Sequence, residues 1–304
     1  MQVKRYVVYT VIVGNYDYVK QPSVIDDRFD YIIFSDVPIA NTGVWQVRLI
    51  EYETKRNWLK ARYPRFNNSA VLPEYEASLY VDGNIQILSQ KVYDRCIELK
   101  EQGVEWAGIK HQGRTGIYNE INAIIGLGWA HDYDVLDWYR YMRKDNFPDD
   151  CGLFEDNVIF RIHTERVTKV NSFFWWSMEK FMYRRDQFAL MWAIWKVPEI
   201  KTTYFLPENE DAWRNGGYFI CKEHNPHKRI LDKSLWEKLR NRYVRMFYSS
   251  EGWEVYYTHW FDKLLEFPFP HLAMHLWTGW ILVRYDLIYL AKHAWHKLQG
   301  KQPR

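Results

Sequence analysis

Residues 75–88, YEASLYVDGNIQIL, decide how the rest of the chain is read. Ala77 to Val81 is a short apolar run that leads straight into Asp82-Gly83-Asn84, and a second apolar run follows. A buried strand ending there presents two oxygen-bearing side chains separated by one glycine. A carboxylate and an amide oxygen on one strand tip can hold a hard divalent cation, which readily shares its shell with phosphate. Asp-Gly and Gly-Asn are also among the commonest turn dipeptides, and taken alone the turn is the better explanation. The remainder of the chain decides between them.

Working outward, buried-strand runs alternate with helical patterns, which predicts an α/β fold with helices on the faces of a sheet. Val7–Val13, Tyr31–Phe34 and Val44–Ile50 read as strands, and Thr54 to Tyr63 as a helix stopped by Pro64. Beyond the opening stretch, Ser89 reads as an N-cap and Gly103 as a helix stop. Trp106–Ile109 and Asn157–Ile162 read as strands; helices are expected at 118–129, 134–143, 167–182 and 186–195. Polar residues gather where strands end: Asp17, Asp36, Asp82 with Asn84, and His163. In open α/β sheets the ligand lies outside the carboxyl ends of the strands, so these residues are expected to share one crevice sized for a nucleotide.

Composition narrows the classes. An aromatic share of 18% with ordinary charge describes a folded chain, and 304 residues bury a substantial core. A net charge of +3, without a basic tract interleaved with stacking aromatics, argues against a nucleic-acid partner. Cys96, Cys151 and Cys221 are odd in number and widely spaced, as free thiols in a reducing compartment would be. The N-terminal apolar run, Val7 to Val13, is a first strand rather than a signal peptide, and a cytoplasmic location follows as an expectation.

Several other residues carry chemistry. Asp186-Gln187 open a predicted helix, so Asp186 is either an acid favoured by the helix dipole or a carboxylate set beside a sugar with Gln187. His224, ahead of His227 in CKEHNPHKR, can complete the shell of a cation held by Asp82 and Asn84 without adding charge, and Lys228 and Arg229 can meet phosphate oxygens. Arg56 and Lys60, four residues apart, share a helix face that is either solvated or a phosphate clamp. His111, Arg114, Glu120, Glu155 and Arg161 are polar groups at expected strand ends and helix starts.

In order, YTVIVGNYD, DYIIFSD, the helix with Lys55-Arg56 and Lys60, YVDGNI, HQGRTGIYNEINA, GLFEDNVIFRIH and RRDQ resemble the domain-of-unknown-function family numbered 616. The resemblance covers roughly residues 5–230, and its members look like glycosyltransferases of the GT-A fold. The arrangement is also similar, more distantly, to glycosyltransferase family 8. That resemblance implies a GT-A-like (Rossmann-like) mixed sheet flanked by helices, and a nucleotide-sugar donor, UDP-sugar favoured. It implies a manganese or magnesium ion on Asp82, Asn84 and His224, with Asn84 standing where the family pattern has a second aspartate. It places Gly14, Asn15, Tyr16 and Asp36 near the nucleoside, and Arg56, Lys60, Arg114 and Lys228 near the phosphates. Asp186, Gln187 and Glu155 become the catalytic candidates, with transfer that retains anomeric configuration and Gln187 facing the reacting carbon.

The expected organisation is a catalytic domain over residues 1–230 and a helical, aromatic-rich C-terminal region over 231–304. Residues 271–297 suit packing on the catalytic domain, self-association or a membrane surface. The expected activity is sugar transfer to a glycan, lipid-linked glycan or other hydroxyl acceptor, in bacterial surface polysaccharide synthesis. The alternative is a non-catalytic carbohydrate- or nucleotide-binding protein on the same fold, and Asn84 is its best argument.

Overall fold

The computed structural model describes residues 5–126, 132–148, 150–183, 185–207 and 217–224, with Ala291. Residues 118–146 belong to a different compact unit from residues 5–117 and 147–224. The larger unit contains β1 (Tyr6–Ile12), β2 (Phe29–Ser35), β3 (Gln46–Leu49), α1 (Asn57–Phe66), α2 (Asn68–Val71), β4 (Ala77–Val81), β5 (Ile85–Ile87), α3 (Gln90–Glu101) and β6 (Trp106–Lys110). Helices α4 (Ile117–Gly126) and α5 (Asp132–Lys144) follow; within them Arg143 stacks 3.8 Å from the centre of the Tyr118 ring. The larger unit resumes with β7 (Phe154–Ile162), α6 (Glu165–Phe181), a single 3-10 turn (Asp186–Phe188), α7 (Leu190–Trp195), β8 (Thr202–Tyr204) and β9 (Phe219–Cys221).

The α/β expectation holds. One mixed sheet runs β3-β2-β1-β4-β7-β6-β8, and β5 pairs with β9 in a small second sheet. Strands β3, β2, β1 and β4 run parallel to one another, and β7 runs antiparallel to both β4 and β6. Every residue of β4 is buried, which is what a parallel strand covered on both faces requires and why its sequence is a continuous apolar run. On one face Val8, Ile33, Leu79 and Phe160 pack with Val92, Cys96 and Leu99 of α3. Ser89 caps α3 by accepting from the Lys91 amide at 3.2 Å, as its sequence predicts.

Three local expectations need correction. Pro64 does not stop α1; it sits in the last turn, where little helix remains to be broken, and Arg65 and Phe66 are still helical. Strand β7 begins at Phe154 rather than Asn157, so Glu155 and Asp156 are strand residues. Asp186 heads a 3-10 turn instead of an α-helix. The C-terminal region expected from residue 231 lies outside the described residues, Ala291 apart. Among the described residues no helix is long and apolar enough to cross a membrane.

Candidate active site

The site is built at the end of β4. Tyr80 and Asp82, two residues apart, point to the same side, and the Tyr80 hydroxyl donates to Asp82 Oδ1 at 2.6 Å. Arg65 stands beside them: its Nη1 is 3.6 Å from Asp82 Oδ1 and 2.5 Å from Asp186 Oδ2, and its guanidinium lies 4.5 Å from the centre of the Tyr80 ring. Arg62, one helical turn earlier, brings Nε to 3.6 Å from Asp186 Oδ2. The C-terminal turn of α1 and the 3-10 turn at 186 are therefore joined by charge next to the strand tip.

Their environments drive the carboxyl groups apart. Burial alone would raise Asp186, but Arg65, Arg62 and Arg185 outweigh it and hold the group well below the usual carboxylate range. Asp82 is raised by desolvation, against Arg65 and the Tyr80 hydrogen bond, although its side chain keeps 35% exposure through which a ligand can reach it. Asp156 is the outlier: 6% exposed, with neither carboxylate oxygen hydrogen-bonded, it is held well above the usual range by burial and by neighbouring Asp186.

Asp156 reaches this position through an irregularity. Gly108 of β6 pairs with Ile159, but the next residue, Ile109, pairs with Glu155, so 156–158 bulge out of the ladder with β6. Such bulges re-aim side chains. Gly108 permits it: a Cβ there would meet the Phe154 ring at 3.0 Å.

A second cluster completes the strand tip. Pairing of β5 with β9 brings residues 221–224 to Asn84, whose amide nitrogen donates to the Lys222 carbonyl at 3.1 Å and the Cys221 thiol at 3.2 Å. His224 Nε2 is 3.5 Å from the same nitrogen, and His224 Nδ1 is 2.6 Å from Asp17 Oδ1. Asp17 ends the turn after β1, in which Gly14 (φ +62°) and Asn15 (φ +54°) are left-handed. The Gly14 amide donates to Asp36 at 3.0 Å, tying the ends of β1 and β2 together, and the Tyr16 ring rests 4.8 Å from the His224 ring. A cavity of about 570 Å³ opens at those two strand ends, lined by Asn15, Asp17, Ser35, Val37, Pro38 and Asn41 among others.

Sequence reasoning is met unevenly here. Asn84, two residues after Asp82, meets His224, the Tyr16 ring rests against His224, and Asp36 is tied to Gly14. The Gln187 amide is engaged, donating to the Phe154 carbonyl at 3.1 Å and accepting from Arg185 at 3.2 Å. Glu155 accepts from Asn157 at 3.2 Å, and its neighbour Asp156 is the one set against Asp186. Arg56 lies before α1 with its guanidinium 3.4 Å from Met182 Sδ, and among the described residues it is Arg62 and Arg65 that reach the Asp82 and Asp186 carboxylates. Arg114 lies 3.3 Å from His111 Nε2 in the loop after β6. His227, Lys228 and Arg229 lie outside the described residues.

His163 is a correction. Because β7 is antiparallel, its carboxyl end lies beside the start of β4, where His163 Nε2 is 2.8 Å from Ser78 Oγ, and it does not share the crevice of Asp82. Among the described residues no three His, Cys, Asp or Glu side chains form a metal cluster. The donor types at hand are the Asp82 carboxylate, the Asn84 amide oxygen and His224 Nε2, a mixed oxygen and nitrogen set of the kind divalent cations take.

Three solved structures resemble this fold. Core-mannan synthase A (CmsA/Ktr4) of Aspergillus fumigatus, in an Mn/GDP form, matches at 9% identity and TM-score 0.40 over 66% of this chain and 72% of that one. The apo WbbM bifunctional glycosyltransferase matches at 9% and 0.37, over 66% and 38%. Residues 1–349 of S. aureus TarS match at 11% and 0.36, over 72% and 60%. No protein-family model matches the chain, and no curated protein matches its sequence, so the likeness to families 616 and 8 rests on the residues quoted for it.

Proposed function

We propose that this chain transfers a sugar from a nucleotide-sugar donor to a hydroxyl of a glycan or lipid-linked glycan. The observation that carries the reading is the convergence, on the tip of β4, of an open carboxylate (Asp82) with the ion-paired Asp186, the buried Asp156 and the Asn84–His224 contact. The cavity at the ends of β1 and β2 takes the nucleoside, UDP being favoured. Asp82, Asn84 and His224 would hold a divalent cation, Mn²⁺ or Mg²⁺, which would supply positive charge against the donor diphosphate.

The chain's own groups do the rest. Arg65 adds a fixed positive charge beside Asp82 and keeps Asp186 ionised. Ionised Asp186 stabilises the positive charge that develops on the anomeric carbon as its bond to the phosphate oxygen breaks and the bond to the acceptor oxygen forms, and the acceptor hydroxyl's proton passes to the departing phosphate oxygen. Asp156, holding its proton, donates to a hydroxyl of the bound sugar. Retention of anomeric configuration is the expected outcome, and an inverted product anomer by NMR would overturn it. The setting proposed is bacterial surface polysaccharide synthesis.

Incubation of the full chain with a panel of UDP- and GDP-sugars and Mn²⁺ tests the activity. Donor hydrolysis or transfer is expected, falling about 100-fold or more in Asp186→Asn. Tight nucleotide binding with neither hydrolysis nor transfer would establish a binding protein instead.

A further inference from the structure

The expected cation ligands carry little negative charge: one carboxylate, one neutral amide and one imidazole. Asp17 lies next to them and has no place in that set. Its side chain is 7% exposed, and its Oδ1 is 2.6 Å from His224 Nδ1. A carboxylate accepts, so Nδ1 bears the hydrogen, and the lone pair is left on Nε2, the nitrogen that approaches Asn84. Asn84 is oriented as well: its amide nitrogen is occupied by Lys222 and Cys221, which leaves Oδ1 as the atom that can meet a cation.

Gly83 makes the arrangement possible. A Cβ at that position would lie 2.8 Å from Asp17 Oδ2 and 3.0 Å from Asp17 Cβ, closer than any side chain tolerates. The middle residue of Asp82-Gly83-Asn84 is thus a glycine because a buried carboxylate is packed against it. The Tyr16 ring against the imidazole completes a holder for His224 on three sides: carboxylate, aromatic face and strand tip.

We infer that Asp17 is a positioning residue for the cation site: it fixes the Nδ1–H tautomer of His224, points Nε2 at the metal, and supplies from behind the imidazole the negative charge that the Asn84 amide does not. Carboxylate–histidine–metal relays of this kind raise the basicity of the ligating nitrogen, and losing the carboxylate weakens metal binding about 10- to 100-fold. The inference rests on the cation site proposed above and assigns that site a fourth residue.

The test uses the full chain and Mn²⁺ alone, with its dissociation constant read by titration of the free-ion electron paramagnetic resonance signal. Asp17→Asn keeps the shape and removes the charge, and is expected to weaken Mn²⁺ binding about 10- to 100-fold. In a His224→Ala background the same substitution is expected to have no further effect, because Asp17 acts through the imidazole. Nitrogen-15 NMR of the wild-type imidazole, without metal, is expected to show the proton on Nδ1. A wild-type protein that binds Mn²⁺ while Asp17→Asn binds it equally well overturns the inference and leaves the cation site standing. Equal losses in both backgrounds, or a wild-type proton on Nε2, also overturn it. A wild-type protein that binds no Mn²⁺ sinks both the site and the inference.

Discussion

Arg65→Ala should be the most costly single change at the strand tip. Arg65 and Asp186 are each 7% exposed, so solvent screens their contact weakly. Removing one partner of a buried pair leaves an uncompensated charge and costs about 3–5 kcal/mol. Arg62, 3.6 Å from the same carboxylate oxygen, takes up part of the loss, whereas the cation–π contact with Tyr80 at 4.5 Å is lost with Arg65. The expected loss is about 3–4 kcal/mol, a fall of roughly 10 °C in Tm. It should depend on pH with a defined sign. Asp186 has a depressed folded pKa, so its contribution is complete above the unfolded value of about 3.9 and fades as pH falls toward the folded one. The gap between wild type and variant, followed by urea unfolding, should be full at pH 7 and narrow by pH 3. Replacing both partners, Arg65→Met with Asp186→Leu, should recover most of the stability because no buried charge is stranded. A loss under about 1 kcal/mol at pH 7, or a gap of constant size down to pH 3, would refute the role given to this pair.

Asp156→Asn should be neutral or stabilising by up to about 1 kcal/mol in urea unfolding at pH 7, because it removes a carboxyl group whose charged form is disfavoured by burial and by Asp186; a loss as large as that of Asp186→Asn would contradict this. Gly83→Ala should cost about 1–3 kcal/mol through the forced contact with Asp17, and should weaken Mn²⁺ binding in the same protein. His163, lowered to about 4 by burial, then by Arg161, stays neutral in the folded state; its contribution is complete above the unfolded value of about 6.5 and is lost as pH falls toward 4. That is about 3 kcal/mol of pH dependence, which His163→Gln should flatten in unfolding curves taken between pH 7 and pH 4.

The parts of the fold that the sequence makes plain are those in which one residue pattern has one outcome. The short, mostly apolar runs at Val7–Val13 and Ala77–Val81, each followed by turn residues, read as buried strands, and Ser89 ahead of a helical pattern reads as its N-cap. Direction is another matter, since the run through Val158 and Ile162 reads the same whichever way the strand lies in the sheet. Only tertiary pairing makes β7 antiparallel, and that one fact sends His163 to the start of β4 and brings Asp156 to the site. A similar gap hides Arg65: the rule that proline ends a helix stops α1 at Tyr63, two residues short of the cation that joins Asp82 to Asp186. Asp17 was visible as a strand-end carboxylate, but its partner is 207 positions away. What local patterns leave unread here is one thing, long-range charge placement, and Arg65, Asp156 and Asp17 are all instances of it. The strand tip read first, Asp82-Gly83-Asn84, is where these three side chains gather, which is why a motif that is an ordinary turn by its own composition becomes a candidate site once the chain is folded around it.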